Sequence, residues 1–226
     1  SGMWSSEEEE QVVYQELIDL VEPAQLPTDF GTERIKAILE DRIKYLKSWK
    51  TPGPDQVYNF FIKRMYALHG RVAQLVSAAI EDPELIDETM YVGNTYLTPK
   101  VKKAKQGDQL RPITCLPNLY KLTSKVVTDL VTDLCTVNEI ISANQMGTRR
   151  GCQGAKEQAL LNKALNEEYD NQLCTSWIDV KKAYDSVQHQ YLLDVLTKLD
   201  LPPNIISFVR RTLRLQRTNL MCNKEE

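Results

Sequence analysis

Apolar residues recur at helical spacing in one segment after another, and this feature limits most strongly what the chain can become. Leu122, Val126, Leu130 and Leu134 stand four apart, the repeat that lines one face of a helix. Ile35, Leu39, Ile43 and Leu46 repeat the pattern and predict a helix over 32–49. The run Thr51-Pro52-Gly53-Pro54-Asp55 breaks that helix and offers Asp55 as the N-cap of the next. That next helix is expected to turn Val57, Phe60, Phe61, Met65 and Leu68 inward and to stop at Gly70. Further helices are predicted over 72–80, 153–169, 190–198 and 203–216. Residues 5–10, mostly glutamate, are expected to fray.

Two short segments depart from the helical pattern. Thr95-Tyr96-Leu97 and Ile113-Thr114-Cys115 are β-prone and flank a lysine-rich loop, with turn chemistry at Gly107-Asp108. They predict a long hairpin with a basic tip. Ser176-Trp177-Ile178 reads as a buried strand ending at the carboxylate of Asp179. The predicted class is α+β, with helices predominating.

Charge is unevenly distributed along a chain whose formal net charge is −3. Lys100, Lys102, Lys103, Lys105, Arg111, Lys121 and Lys125 face only Asp108 within 100–125. A solvated loop would account for such a run alone, but local positive charge is also what phosphate recognition needs, because attraction is screened beyond ~10 Å. Five dispersed cysteines without a CxxC pair, and only two histidines, argue against a zinc site and for reduced thiols in an intracellular protein. No apolar run approaches the ~18 residues that span a bilayer.

The run Trp177-Ile178-Asp179-Val180-Lys181-Lys182-Ala183-Tyr184-Asp185-Ser186-Val187 carries the chemistry. A lone aspartate at a strand end is more often a cap than a ligand. A polymerase, however, needs hard oxygen ligands for two Mg²⁺ beside the primer end, and a strand-end aspartate followed by a backbone carbonyl supplies them on a rigid element.

This stretch resembles the first catalytic-aspartate motif of reverse transcriptases: Asp, an aromatic five residues on, then Asp and a small residue before Val. The resemblance implies Asp179 as catalytic metal ligand with the Val180 carbonyl, and Tyr184 as a steric gate against a 2′-OH. Asp directly after the aromatic, as at Asp185, is typical of the non-LTR and group II intron branches. Thr98-Pro99-Lys100 with Arg111-Pro112-Ile113 resembles the fingers hairpin that grips the incoming triphosphate. Arg111 fits the arginine, whose planar fork suits phosphate and base together. Lys100 and Lys103 both remain open for the lysine.

Lys50-Thr51-Pro52-Gly53-Pro54-Asp55 is similar to the signature upstream of the fingers in non-LTR enzymes, and Gln145-Met146-Gly147-Thr148-Arg149-Arg150-Gly151 to the element before the aspartate motif. By resemblance Lys50, Lys102, Lys105, Gln145 and Arg149 touch nucleic acid. The implied organisation is an N-terminal extension (1–31), fingers with an upstream template-contacting region (32–150) and a partial palm (151–226). No Asp-Asp pair occurs in the 226 residues, so the chain is expected to be an inactive piece of a longer enzyme with an incomplete two-Mg²⁺ site. Its expected partners are an RNA template, a DNA primer and dNTP, without a membrane; the parent is expected to be nuclear. The alternatives are a group II intron-like or domesticated reverse transcriptase, and a non-catalytic RNA-binding module of the same fold.

Overall fold

The structure, a computed structural model, describes residues 7–21, 30–102, 106–142, 144–147, 151–169 and 172–221. It is mixed α/β and falls into two compact units. One joins Ser1–Thr132 to His189–Glu226; the other is the intervening Asp133–Gln188.

The helical periodicity becomes the core of the first unit. Helices α2 (Thr32–Lys44) and α4 (His69–Glu81) pack together through Ile35, Leu39 and Ile43 on one side and Ala73, Val76 and Ile80 on the other, all buried. Helix α5 (Asn118–Val137) buries Leu122, Val126, Leu130 and Leu134, as their spacing predicted. Removing each such side chain from water stabilises the fold by about 1.5–3 kcal/mol. Arg42 of α2 makes a two-pronged ion pair with buried Asp129 of α5, its second nitrogen at 2.7 Å. A buried carboxylate needs such a partner. Helix α1 (Glu7–Asp19) packs on α7 (His189–Lys198) through Tyr14, whose ring meets Tyr191 edge-on at 5.5 Å and whose hydroxyl donates to Asp194. That contact pushes the Tyr14 phenol up to about 12. Glu7–Glu10 form the first turn of this helix, and residues 5 and 6 of the expected frayed stretch lie outside the described residues.

Helix α8 (Pro203–Leu215) closes the other side with Ile205, Ile206, Phe208 and Leu215. Its Arg211 is buried over the Tyr91 ring, ion-paired to Glu84 and donating to the Ile86 carbonyl at 3.0 Å. Tyr91, Tyr120 and Phe208 form a continuous aromatic layer, with centroids 5.1 and 6.3 Å apart. Burial raises the phenols of both tyrosines.

The hairpin forms as predicted. Strand β1 (Val92–Pro99) pairs antiparallel with β2 (Leu110–Cys115), Thr98 opposite Arg111. A third strand that the sequence did not suggest, β3 (Arg217–Met221), runs parallel to β1 but only along Val92–Tyr96. The near half of the hairpin is therefore three-stranded, and its buried Thr95 shares hydroxyl hydrogen bonds with Thr114 at 2.6 Å and with Thr218. Beyond Tyr96 the sheet has two strands.

Four expectations are corrected. Helix α2 stops at Lys44, not near 49, because the following carbonyls find partners on α3 (Asn59–Arg64). Asn59 Nδ2 donates to Lys47 O, Phe60 N to Ser48 O and Lys63 Nζ to Leu46 O, at 3.0–3.2 Å. Asp55 caps no helix; it accepts from Val57 N at 3.3 Å in a turn, four residues before α3 begins. The helix expected to stop at Gly70 breaks at Met65 into a 3₁₀ turn (Tyr66–Leu68), and Gly70 lies inside α4. Val57, Phe61, Met65 and Leu68 are consequently exposed. Finally, 176–178 is not a buried strand: Trp177 and Ile178 are 76% and 92% exposed, in a stretch without regular structure. A strand needs hydrogen-bonding neighbours and a covering layer, and among the described residues this segment has no paired strand.

Candidate functional site

The far half of the β1–β2 hairpin is an exposed two-stranded arm. Side chains alternate across it, so Tyr96, Thr98, Arg111 and Ile113 share one face. Arg111 is exposed there, and Thr98 Oγ1 donates to its carbonyl at 3.2 Å, tying the two strands together. Lys100 follows at the end of β1, its backbone N–H donating to Gln109 O at 2.8 Å. Lys100 and Lys102 are exposed, while Lys103 and Lys105 lie outside the described residues. Lys100 lies two residues beyond Thr98, the register partner of Arg111, at the end of the strand pair away from the buried Thr95. Exposed fixed cations on a projecting arm can bind phosphate.

The loop carrying Lys50 is held against the start of α5. A Cβ at Gly53 would stand 2.3 Å from Pro117 N, so glycine alone permits this approach, and Asn118 Nδ2 donates to Val57 O at 2.7 Å. Lys121, on the first turn of α5, has its ammonium pulled below the usual lysine range chiefly by burial; Cys115 and Asp55 oppose this and Lys50 adds to it. Lys121 belongs to the basic block of the sequence, but no motif singles it out there. Its proximity to Lys50 depends on the close approach at Gly53, which composition alone does not show.

The remaining candidates belong to the second unit. Gln145 is exposed with its amide on Gly147 O at 3.4 Å, and the neighbouring Met146 receives Gln158 Nε2 of α6 (Ala155–Tyr169) at 3.2 Å. Arg149 lies outside the described residues. Asp179 and Val180 are exposed and lead into a turn over 181–186, in which Lys182 has φ 53° and Ser186 N donates to Lys182 O at 2.9 Å. Tyr184 sits in that turn, 92% exposed.

A sequence profile described as reverse transcriptase (RNA-dependent DNA polymerase) matches residues 101–225, more than half of the chain. The chain belongs to the reverse transcriptase family. Arg111, Gln145, Asp179, Val180 and Tyr184 all fall within the stretch that carries the reverse transcriptase match; Lys50 and Lys100 precede it. A probable RNA-directed DNA polymerase from transposon BS of Drosophila melanogaster is 27% identical over 190 residues, covering 82% of this chain and 21% of that protein. The chain thus spans about a fifth of the length of the curated relative it matches.

Reverse transcriptases generally use Mg²⁺. Among the described residues no group of three or more His, Cys, Asp or Glu side chains is placed to hold a metal ion. Asp179 is one hard ligand where Mg²⁺ asks for near-octahedral oxygen coordination, so the described residues do not by themselves fit the ion. Among them, too, no helix is long and apolar enough to cross a membrane.

Proposed function

We propose that this chain is the fingers and first part of the palm of a non-LTR retrotransposon reverse transcriptase, in which a longer protein copies RNA into DNA. Fingers with the upstream template-contacting region run over 32–150 and the palm begins at 151. The observation that carries the reading is the two-stranded arm, on which Arg111 is exposed and beyond which Lys100 and Lys102 are exposed too. In the reaction the primer 3′-OH attacks the α-phosphate of a dNTP, the new phosphodiester bond forms, and pyrophosphate leaves. Arg111, with Lys100 or Lys103, grips the triphosphate. The guanidinium offers paired donors to phosphate oxygens and a flat face to the base. Tyr184 closes the space that a 2′-OH would occupy. Lys50, Lys102, Lys105, Gln145 and Arg149 track the template backbone.

Asp179 and the Val180 carbonyl are this chain's contribution to the catalytic centre. Asp179→Asn keeps the shape but removes an anionic ligand. In the longer enzyme it should abolish primer extension while RNA affinity stays within about twofold. Extension at near the wild-type rate would remove Asp179 from catalysis.

A further inference from the structure

The corner between α2 and α3, which holds Lys50, also carries an aromatic cluster to which the polymerase reading gives no role. Six of the chain's 17 aromatic residues fall within 45–66, together with Lys47, Lys50, Lys63 and Arg64 against Asp55 as the one acid. Trp49 and Phe60 are stacked nearly parallel, 13° apart with centroids at 4.9 Å, and Tyr58 tilts against Trp49 at 5.9 Å. The loop under Trp49 is clipped to α3 by the three hydrogen bonds to the carbonyls of Leu46, Lys47 and Ser48. The rings are therefore held on a rigid base.

Aromatic residues could cluster merely to shelter one another. Here the cluster half-buries Phe60 and leaves Trp49 71%, Tyr66 67% and Phe61 48% exposed. A contiguous apolar surface of this kind marks a contact. Exposed cations interleaved with these rings along the chain, Lys47, Lys50 and Arg64, suit a polyanion that also presents flat π faces. Tyr66 also lines an open cleft of about 340 Å³ with Glu40, Ile43, Lys44, Lys63 and His69.

We propose that this corner is a base-stacking platform for a single-stranded polynucleotide, with a base on the open face of Trp49 and the phosphates along Lys47, Lys50 and Arg64. A duplex hides its base faces inside the stack; an unpaired strand exposes them. The proposal rests on the polymerase reading only for why such a strand should be present; its test is independent of turnover.

The test uses the whole 226-residue chain. Affinity is measured by fluorescence anisotropy for labelled oligo(rU) and oligo(dT) of about 15 nucleotides, in the range of single-strand site sizes. Trp49→Ala should weaken binding roughly 5- to 150-fold, the worth of one base–aromatic stack, without changing the salt slope. Trp49→Phe should restore most of the loss. Because Trp49→Ala also loses the stack on Phe60, it should melt slightly below the wild type, whereas Trp49→Phe should keep the wild-type melting curve. Equal loss on both oligonucleotides supports stacking as the shared chemistry, and loss on oligo(rU) alone supports an RNA template as occupant.

Unchanged affinity in Trp49→Ala overturns the proposal. So does a self-association that Trp49→Ala abolishes while oligonucleotide binding persists, since the corner would then be a protein contact. Binding that falls only on reversing Lys100 and Lys102 also overturns it, yet leaves the polymerase reading standing. That reading fails separately, in the Asp179→Asn primer-extension assay.

Discussion

Replacing Gly53 with alanine tests how the upstream loop is seated on α5. The added Cβ would lie 2.3 Å from Pro117 N, 2.5 Å from the Leu116 carbonyl carbon and 2.7 Å from Pro117 Cα. All three are backbone atoms, so no side chain can swing aside; the loop must retreat by about 1 Å to reach ordinary contact. Overpacking of this kind costs about 1–3 kcal/mol. The retreat also pulls Val57 O from Asn118 Nδ2, a 2.7 Å hydrogen bond worth about 1 kcal/mol. Gly53→Ala should therefore destabilise the fold by about 2–4 kcal/mol. Gly70→Ala is the control: it meets nothing within 4 Å and lies in α4, so it should stabilise by about 0.5 kcal/mol. Urea unfolding with a common m value measures both. A Gly53→Ala protein within about 0.5 kcal/mol of wild type would refute the close-approach account.

Leu130→Ala removes a side chain with no exposed surface from the middle of α5, and urea unfolding should show a loss of about 2–5 kcal/mol. Tyr184→Val should leave stability within about 0.5 kcal/mol, since the ring is 92% exposed. In the longer enzyme it should raise the ratio of kcat/KM for rNTP over dNTP; a fixed ratio would end the steric-gate role. Reversing Lys100, Lys102, Lys103 and Lys105 to glutamate should flatten the salt dependence of RNA binding by ~0.7–0.9 for each phosphate no longer neutralised.

What could be foreseen from the sequence depended on how local the deciding interactions are. The spacing of Leu122, Val126, Leu130 and Leu134 specifies a helix by itself, because the residues that share a face are one turn apart. Thr95-Tyr96-Leu97 and Ile113-Thr114-Cys115 pair across a single loop, and that hairpin was legible too. The end of α2 was not: Leu46 continues the apolar repeat, yet the carbonyls beyond Lys44 are claimed by α3. Strand β3 was hidden for the same reason, since its partner β1 is remote and its own side chains, all exposed, carry no alternation. Trp177-Ile178 has strand-forming chemistry without a paired neighbour among the described residues, and intrinsic preference does not by itself make a sheet. At the site, Arg111 was readable as a hairpin residue, and the structure sets it opposite Thr98, while the sequence left Lys100 and Lys103 both open as its companion lysine. The aromatic corner was missed because Phe61 was assigned to a core that α3 does not face.

The parallel pairing of β1 with β3 also sets an order of events as the chain folds. Val92 meets Arg217 only after the intervening chain has been arranged, whereas β1 and β2 are only ten residues apart in sequence. Non-local pairing of this kind is slow, because closure entropy is spent before any contact repays it. The hairpin with its cationic arm should therefore form early, and Thr95 should wait for Thr218 before its hydroxyl network is complete. The insertion of Asp133–Gln188 nearly doubles that closing loop, yet a doubling adds only about 0.6 kcal/mol. The unit bearing Asp179 can thus change length at little thermodynamic expense, and the docking of β3 should slow by no more than about threefold for each doubling of the loop.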